Sequence, residues 1–419
     1  MNLRLLGFVF LSSSFASLTG CGPTLQRREI ATGGKVRFVP YAPYVVVSEK
    51  TSSTFRIQLV PTGSASDGAL APLTFTSPTD VVTVTSSLNR RWAVVTAART
   101  KAPTHGESGE AGSPVFALDL AQLRLRLTAT LSPAARSEGA LAISNDGEWI
   151  AAASAGKGEV ARVVSVSTHA ESTIFASSGE STGWTAGLDF SPDSTRLISS
   201  RHDSKRAYGA EFMLAGGAWK AGPEIPDSGW HRWSPHGLVY LTRGALNLRA
   251  AVPEGAPDEA VATFPFRNED VMASSRDEPC AFRRGDSDNE KAPVLQTSGL
   301  RTVLLQCIWG GFWLSTFDLE ARKWSDRQAP YPLSYEAKIS LDEARQELLV
   351  FRQGALRQVS LVNGRERTLM GWGAQRHHEA NLFMSGGATN TLYTVQVSPD
   401  GASALHHDLR NDRWTLYSL

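Results

Sequence analysis

Phe190-Ser191-Pro192-Asp193-Ser194-Thr195-Arg196-Leu197-Ile198-Ser199-Ser200 joins two short apolar runs through a polar turn. Proline at the second turn position fixes φ, an Asp or Asn side chain caps the turn, and Gly accepts the unusual backbone angles that follow. The arrangement returns at Ser87-Leu88-Asn89, Ser144-Asn145-Asp146-Gly147, Ser234-Pro235-His236-Gly237, Ser340-Leu341-Asp342 and Ser398-Pro399-Asp400-Gly401. β-type runs follow, as in Trp92-Ala93-Val94-Val95, Trp149-Ile150-Ala151-Ala152, Leu238-Val239-Tyr240-Leu241 and Leu348-Leu349-Val350-Phe351. The turns lie about 43 to 58 residues apart, close to the span of a four-stranded propeller blade. One double gap, between Ser234 and Ser340, is divided by a diverged turn at Ser274-Ser275-Arg276-Asp277.

The repeat predicts an all-β chain folded as a single β-propeller of seven blades, each of four antiparallel strands, with six or eight blades also compatible. Too few residues follow Ser398 for a whole blade, whereas Tyr44-Val45-Val46-Val47 and Phe55-Arg56-Ile57-Gln58-Leu59-Val60 precede the first turn. An N-terminal strand is therefore expected to complete the last blade and close the ring, which removes exposed sheet edges. A pair of two-sheet sandwiches is the competing architecture, because regular strand spacing serves both. An Asp that recurs in the same turn is explained by turn chemistry, so binding is to be sought where the repeats differ.

Composition supports a folded, turn-rich protein: 42% of the 419 residues are hydrophobic, 36 are glycine and 21 proline. Lys and Arg number 42 against 41 Asp and Glu, a balance that offers no electrostatic footprint for nucleic acid. A monomer with no nucleic-acid partner is expected.

The first twenty residues have the layout of a signal peptide, with Arg4 ahead of the short apolar run Leu5-Leu6-Gly7-Phe8-Val9-Phe10-Leu11, too short to span a bilayer. Leu18-Thr19-Gly20-Cys21 resembles the lipobox of bacterial lipoproteins. The resemblance implies cleavage before Cys21, a diacylglycerol thioether on its sulfur and an acylated amino group. Several chains are needed because each buried CH₂ contributes only about 0.8 kcal/mol and one chain anchors marginally. Gly22 follows, where an Asp would retain the lipoprotein at the inner membrane, so the outer membrane, periplasmic face or surface, is the expected location. Residues 1–20 are thus read as signal, 21–35 as a lipidated tether and 36–419 as the propeller.

Third-strand runs such as Val115-Phe116-Ala117-Leu118-Asp119-Leu120, Phe312 to Glu320 and Leu356-Arg357-Gln358-Val359-Ser360-Leu361 end in a polar turn. With Ser-Pro-Asp-Gly before an apolar strand, they resemble TolB-type, WD-like propeller repeats, which implies the fold far more than any activity. His236 replaces the turn Asp, and the turns at Asn89 and Asp342 lack Gly.

No assembled catalytic set, metal site or cofactor site emerges. Gly179-Glu180-Ser181-Thr182-Gly183 matches a serine-hydrolase pattern, but a strand-like run follows where the nucleophile elbow needs a helix. His377-His378-Glu379 has no chelating spacing, since adjacent strand residues face opposite ways. Asp286-Ser287-Asp288-Asn289-Glu290 carries alternating oxygens but lacks the EF-hand Gly and distant Glu. Cys280 and Cys307 form either a disulfide or two core thiols. Trp92 and Trp149 share a repeat position and read as blade packing. Trp230-His231-Arg232-Trp233, beside a turn, is the candidate partner-binding group, because aromatics with Arg make binding hot spots; Trp309-Gly310-Gly311-Phe312-Trp313 is a second aromatic turn. The expected function is an anchored cell-envelope lipoprotein whose propeller is a non-catalytic platform for a protein, peptide or glycan. The alternative is an extracytoplasmic hydrolase or lyase with its site in the central channel, which requires carboxylates, His or a metal converging on the axis.

Overall fold

A computed structural model describes residues 26–40, 42–51, 54–63, 73–76, 81–98, 113–131, 140–154, 158–175, 184–202, 207–226, 228–242, 245–250, 259–263, 294–296, 302–307, 313–324, 329–330, 338–352, 354–371, 393–398, 401–408 and 411–418. These residues form eight antiparallel sheets, seven with four strands and one with a fifth short strand. In the last case Lys323–Trp324 and Ala329–Pro330 pair with the two ends of the same strand, Trp313–Asp318, so they are two pieces of one outer strand. The architecture is a β-propeller, and its blades occupy 35–76, 81–131, 141–175, 184–225, 228–263, 294–330, 338–371, and 393–418 joined by Gln26–Thr32.

Eight blades fall within the expected six to eight, one above seven. The additional blade is the first: Tyr44–Thr51 and Thr54–Pro61 do not complete the last blade but are the second and third strands of a blade begun by Lys35–Phe38 and finished by Leu73–Thr76. Its turn, Val39 to Ala42, lacks the Ser and the Asp, so an alignment on that pair passes over it. Ring closure by an N-terminal strand holds, through Gln26–Thr32, which pairs with Arg413–Ser418 from Gln26↔Ser418 to Thr32↔Arg413. That strand lies inside the stretch read as a tether. It shows no apolar alternation because it is an outer strand, and Ala31 is its one buried residue.

First strands lie inside the ring and fourth strands outside. Leu141–Ile143 is buried throughout, whereas Glu171–Phe175 and Ala218–Ile225 are largely exposed. The turns leaving the inner strands of blades two, three and four, each with Ser and Asp or Asn, repeat atom for atom. The amide and hydroxyl of Ser191 bond to the Arg196 carbonyl and amide, at 2.9 Å each, while the hydroxyl also donates to Asp193 Oδ1 at 2.5 Å. The same set joins Ser144, Asp146 and Trp149, and Ser87, Asn89 and Trp92. Arg90, Gly147, Ser194 and Gly401 hold the fourth position at φ of 62°, 74°, 63° and 69°. Burial alone would raise the Asp193 carboxyl, but donation from Ser191 and Thr195 and the charge of Arg196 outweigh it and hold it below the ordinary range. The recurrent Asp is thus consumed by its own turn.

Two expected turns differ. Ser340 is a strand residue paired with Leu349, and the turn begins at Asp342, whose Oδ1 accepts from the Arg345 amide at 3.0 Å. That is the geometry by which Asp119 and Asp318 end third strands, with Leu123, Arg322 and Gln346 at positive φ. The Ser234 turn is a two-residue hairpin in which Ser234 pairs with Gly237. The turn expected at Ser274 to Asp277 lies outside the described residues, and the sixth blade links Val294–Gln296 to Thr302–Cys307 through 297–301.

Neighbouring blades pack face to face. Trp92, Val94 and Val115 meet Leu141, Ile150 and Val164; Ala151, Val160 and Val163 meet Phe190, Leu197 and Phe212; Leu405, Trp414 and Leu416 meet Val36, Phe38 and Val45 across the closure. Each buried side chain of this size contributes roughly 1.5–3 kcal/mol relative to exposure. Trp92 lies over Gly147, where a Cβ would fall 2.4 Å from the indole, and its Nε1 donates to the Asn145 carbonyl at 3.1 Å. Trp149 meets Trp219 edge-on at 5.7 Å. Both tryptophans of the shared repeat position therefore serve blade packing.

Candidate functional site

Inner strands present one sheet edge and alternate side chains to the middle of the ring. Where the last blade meets the first two, Lys35–Phe38, Val81–Ser86 and Tyr393–Val397 enclose a cleft of about 390 Å³ lined by Arg37, Phe38, Thr83, Val84, Gln396 and Val397. Its size is in the lower range of ligand pockets. The alternation along Lys35–Phe38 is exposed, buried, exposed, buried. Val36 and Phe38 pack toward the last blade, which turns Arg37 toward the second. Gln396 Nε2 donates to the Val36 carbonyl at 3.1 Å, so a side chain of the last blade satisfies the inner edge of the first.

Arg37 is the one charged group in the described lining. It is exposed and makes no ion pair or side-chain hydrogen bond among the described residues. Its guanidinium offers a fork of donors matched to a carboxylate or phosphate. The described lining contains no carboxylate and no histidine, so the acid or base that a hydrolase or lyase in the channel requires is not among these residues. No group of three metal-ligating side chains occurs among the described residues.

The aromatic group before the fifth turn lies elsewhere, on Ser228–Ser234. His231 and Trp233 are 4% and 1% exposed, so neither presents a surface to a partner. The Ser228 hydroxyl donates to the Ile225 carbonyl at 2.5 Å and therefore accepts from His231 Nε2, at 2.9 Å. Nδ1 is then the acceptor for the Ser200 hydroxyl at 3.0 Å, which assigns the neutral Nε2–H tautomer. The ring stacks on Tyr240 and fills the space a Cβ on Gly209 would occupy, 2.5 Å from Nε2. His231 is a lock between the fourth and fifth blades.

Trp233 packs with Ile198, Ile225 and Leu238, and its amide donates to Asp189 Oδ2 at 2.8 Å. Burial pushes the Asp189 carboxyl up to about 6, with Arg232 and the amides of Trp233 and Phe190 opposing the rise. Arg232 is half-buried and supplies that opposing charge. The side chain of Trp230 lies outside the described residues, as do Cys21, Cys280, the 179–183 and 286–290 loops and the histidine pair at 377–378. Cys307 ends the strand Thr302–Cys307 and Trp313 begins Trp313–Asp318, with their side chains likewise outside the description.

Sequence reasoning missed the cleft. Its signal was present in Lys35-Val36-Arg37-Phe38, an alternating strand with cations on one face, but half-exposed inner strands at the ring closure resemble linker sequence when no turn motif follows them.

No family model matches the chain, and no curated protein matches it. Solved structures align along most of its length at low identity. Dihydro-heme d1 dehydrogenase NirN is 12% identical over 91% of this chain and 72% of its own, with a TM-score of 0.48. An oligogalacturonate lyase in complex with manganese is 12% identical over 92% and 98%, with a TM-score of 0.46. The β-propeller domain of Cps50 (Swd1) from Myceliophteria thermophila is 10% identical over 94% and 98%, with a TM-score of 0.42. At this level the likenesses carry nothing about chemistry, and the fold stands on the sheet topology of the chain itself.

Proposed function

We propose that this chain is a bacterial cell-envelope lipoprotein, held at the outer membrane through lipid on Cys21, whose propeller is a non-catalytic platform that takes a protein, peptide or glycan partner at the cleft between blades eight, one and two. The supporting observation is the cleft itself, which joins the guanidinium of Arg37, exposed and without an ion pair among the described residues, to apolar walls at Phe38, Val84 and Val397. Concave sites that combine a few fixed polar groups with an apolar lining are the usual form of a binding pocket. The anchor reading rests on Leu18-Thr19-Gly20-Cys21.

Each half has its own test. Cys21→Ala should move the protein from the membrane to the soluble fraction, and retention in the membrane would overturn the anchor. Photo-crosslinking from a residue beside the cleft in intact envelopes should capture a partner that is lost when Thr83→Tyr fills the cleft. Capture of nothing, or equal capture by both forms, would overturn the platform.

A further inference from the structure

We infer that the cleft receives the C-terminal carboxylate of a peptide with apolar terminal residues, an inference that rests on reading the cleft as the partner site. One exposed guanidinium faces it, and no acidic side chain in the described lining competes for that charge. A single cation matches a singly charged carboxylate; a doubly charged phosphate calls for more positive charge than the lining supplies. Half-enclosed walls of low polarizability concentrate the field of Arg37 in the cleft and lessen its screening by solvent.

The remaining lining chooses among carboxylates. Phe38, Val84 and Val397 provide apolar contact, and Thr83 and Gln396 provide polar contact. The walls are also the first-strand edges of blades eight, one and two, with which no further strand pairs among the described residues. A strand edge offers alternating N–H and C=O groups that pair with an extended backbone, and a carboxyl terminus seated on such an edge is an established mode of peptide capture. Gln396 already occupies the Val36 carbonyl, the group next to Arg37, and the alternation of the antiparallel ladder leaves the backbone groups of Phe38, on the other side of Arg37, facing the cleft for the peptide. A sugar acid would share the ion pair but would present hydroxyls to the three apolar walls.

The test uses the full-length chain in detergent and a pool of N-acetylated tripeptides of Val, Leu and Ala, prepared once with free C-termini and once as amides. The free acids should bind at least tenfold more tightly than the amides, with the preference declining as salt rises. Arg37→Gln should abolish the preference and Arg37→Glu should reverse it, with thermal unfolding unchanged because the side chain is exposed. 4-Methylpentanoate, which has the carboxylate and an apolar body without peptide bonds, should bind at least tenfold more weakly than the acids. Equal binding of 4-methylpentanoate would overturn the peptide assignment, and a preference for acids that survives Arg37→Gln would overturn the whole inference. If acids and amides bind alike and Thr83→Tyr or Val397→Tyr removes both, the inference falls while the platform reading stands. If neither pool binds and crosslinking is unaffected by Thr83→Tyr, both fall.

Discussion

From blade two to blade four the turns beside the axis are tied to one another. The Asn89 amide donates to Asn145 Oδ1 at 2.9 Å and its side chain to the Asn145 carbonyl at 2.7 Å, while Asn145 Nδ2 reaches the Pro192 carbonyl at 2.9 Å and the Asp146 amide reaches Ser194 Oγ at 3.1 Å. At blade one the corresponding turn, Val39 to Ala42, has neither Ser nor Asp, and the inner strands on either side of it enclose a cleft. The strand pattern is the same in both regions, but the polar groups are spent differently. Where the repeat is regular, the Ser, Asp and Asn side chains of the described turns satisfy one another. Where it lapses, the turn is still tied to blade two by Ser86 donating to the Pro40 carbonyl, but Arg37 is exposed and makes no ion pair or side-chain hydrogen bond among the described residues.

The strongest way to break this contrast is to remove a residue that joins regular blades. Trp92→Ala deletes a side chain that is 5% exposed, packs on the third blade and bonds to Asn145. A loss of about 3–5 kcal/mol in stability is expected by denaturant unfolding. Ser191→Ala follows: it strips Asp193 of one donor and the Arg196 amide of an acceptor by removing a hydroxyl whose residue is 1% exposed, for about 1–3 kcal/mol.

A pH series tests the seam between blades four and five. The Asp189 carboxyl lies at about 6 in the folded chain against an ordinary 3.8. Between those values the folded chain holds a proton that the unfolded chain has released. The stability this group contributes is complete below about pH 4 and is lost as pH rises through 6, with a slope of at most about 1.4 kcal/mol per pH unit. Asp189→Asn should flatten that part of the stability profile, and an unchanged profile would refute the assignment. The smallest effect belongs to the cleft. Arg37→Gln should alter unfolding by less than about 0.5 kcal/mol, and a larger change would mean that Arg37 is structural and not held in reserve for a ligand.

These contrasts also explain what could be read from the sequence. The turns at Asn89, Asp146 and Asp193 were legible because turn chemistry is local: the Ser, the Asp and the positive-φ position are all within a few residues. Closure by Gln26–Thr32 and the existence of blade one were less legible, because an outer strand with one buried residue carries no alternation and a turn built from Val39 and Pro40 carries no motif. His231 and Trp233 were misleading for a related reason. A polar residue among aromatics reads as a surface anchor until the partners that satisfy it are known, and those partners, Ser200 and Asp189, belong to the preceding blade. Arg37 could have been singled out only by knowing that its strand lines the axis.

The pairing of Gln26–Thr32 with Arg413–Ser418 has a mechanical consequence. Covalent geometry allows at most about 3.6 Å per residue, so a lipid on Cys21 would enter the fold at Gln26 within about 18 Å of the bilayer. Any tug between membrane and partner would then pass first through that outermost strand, which lies antiparallel to the chain's last segment and bears the load along its whole register. The clasp that shuts the ring would double as the joint that carries the tension.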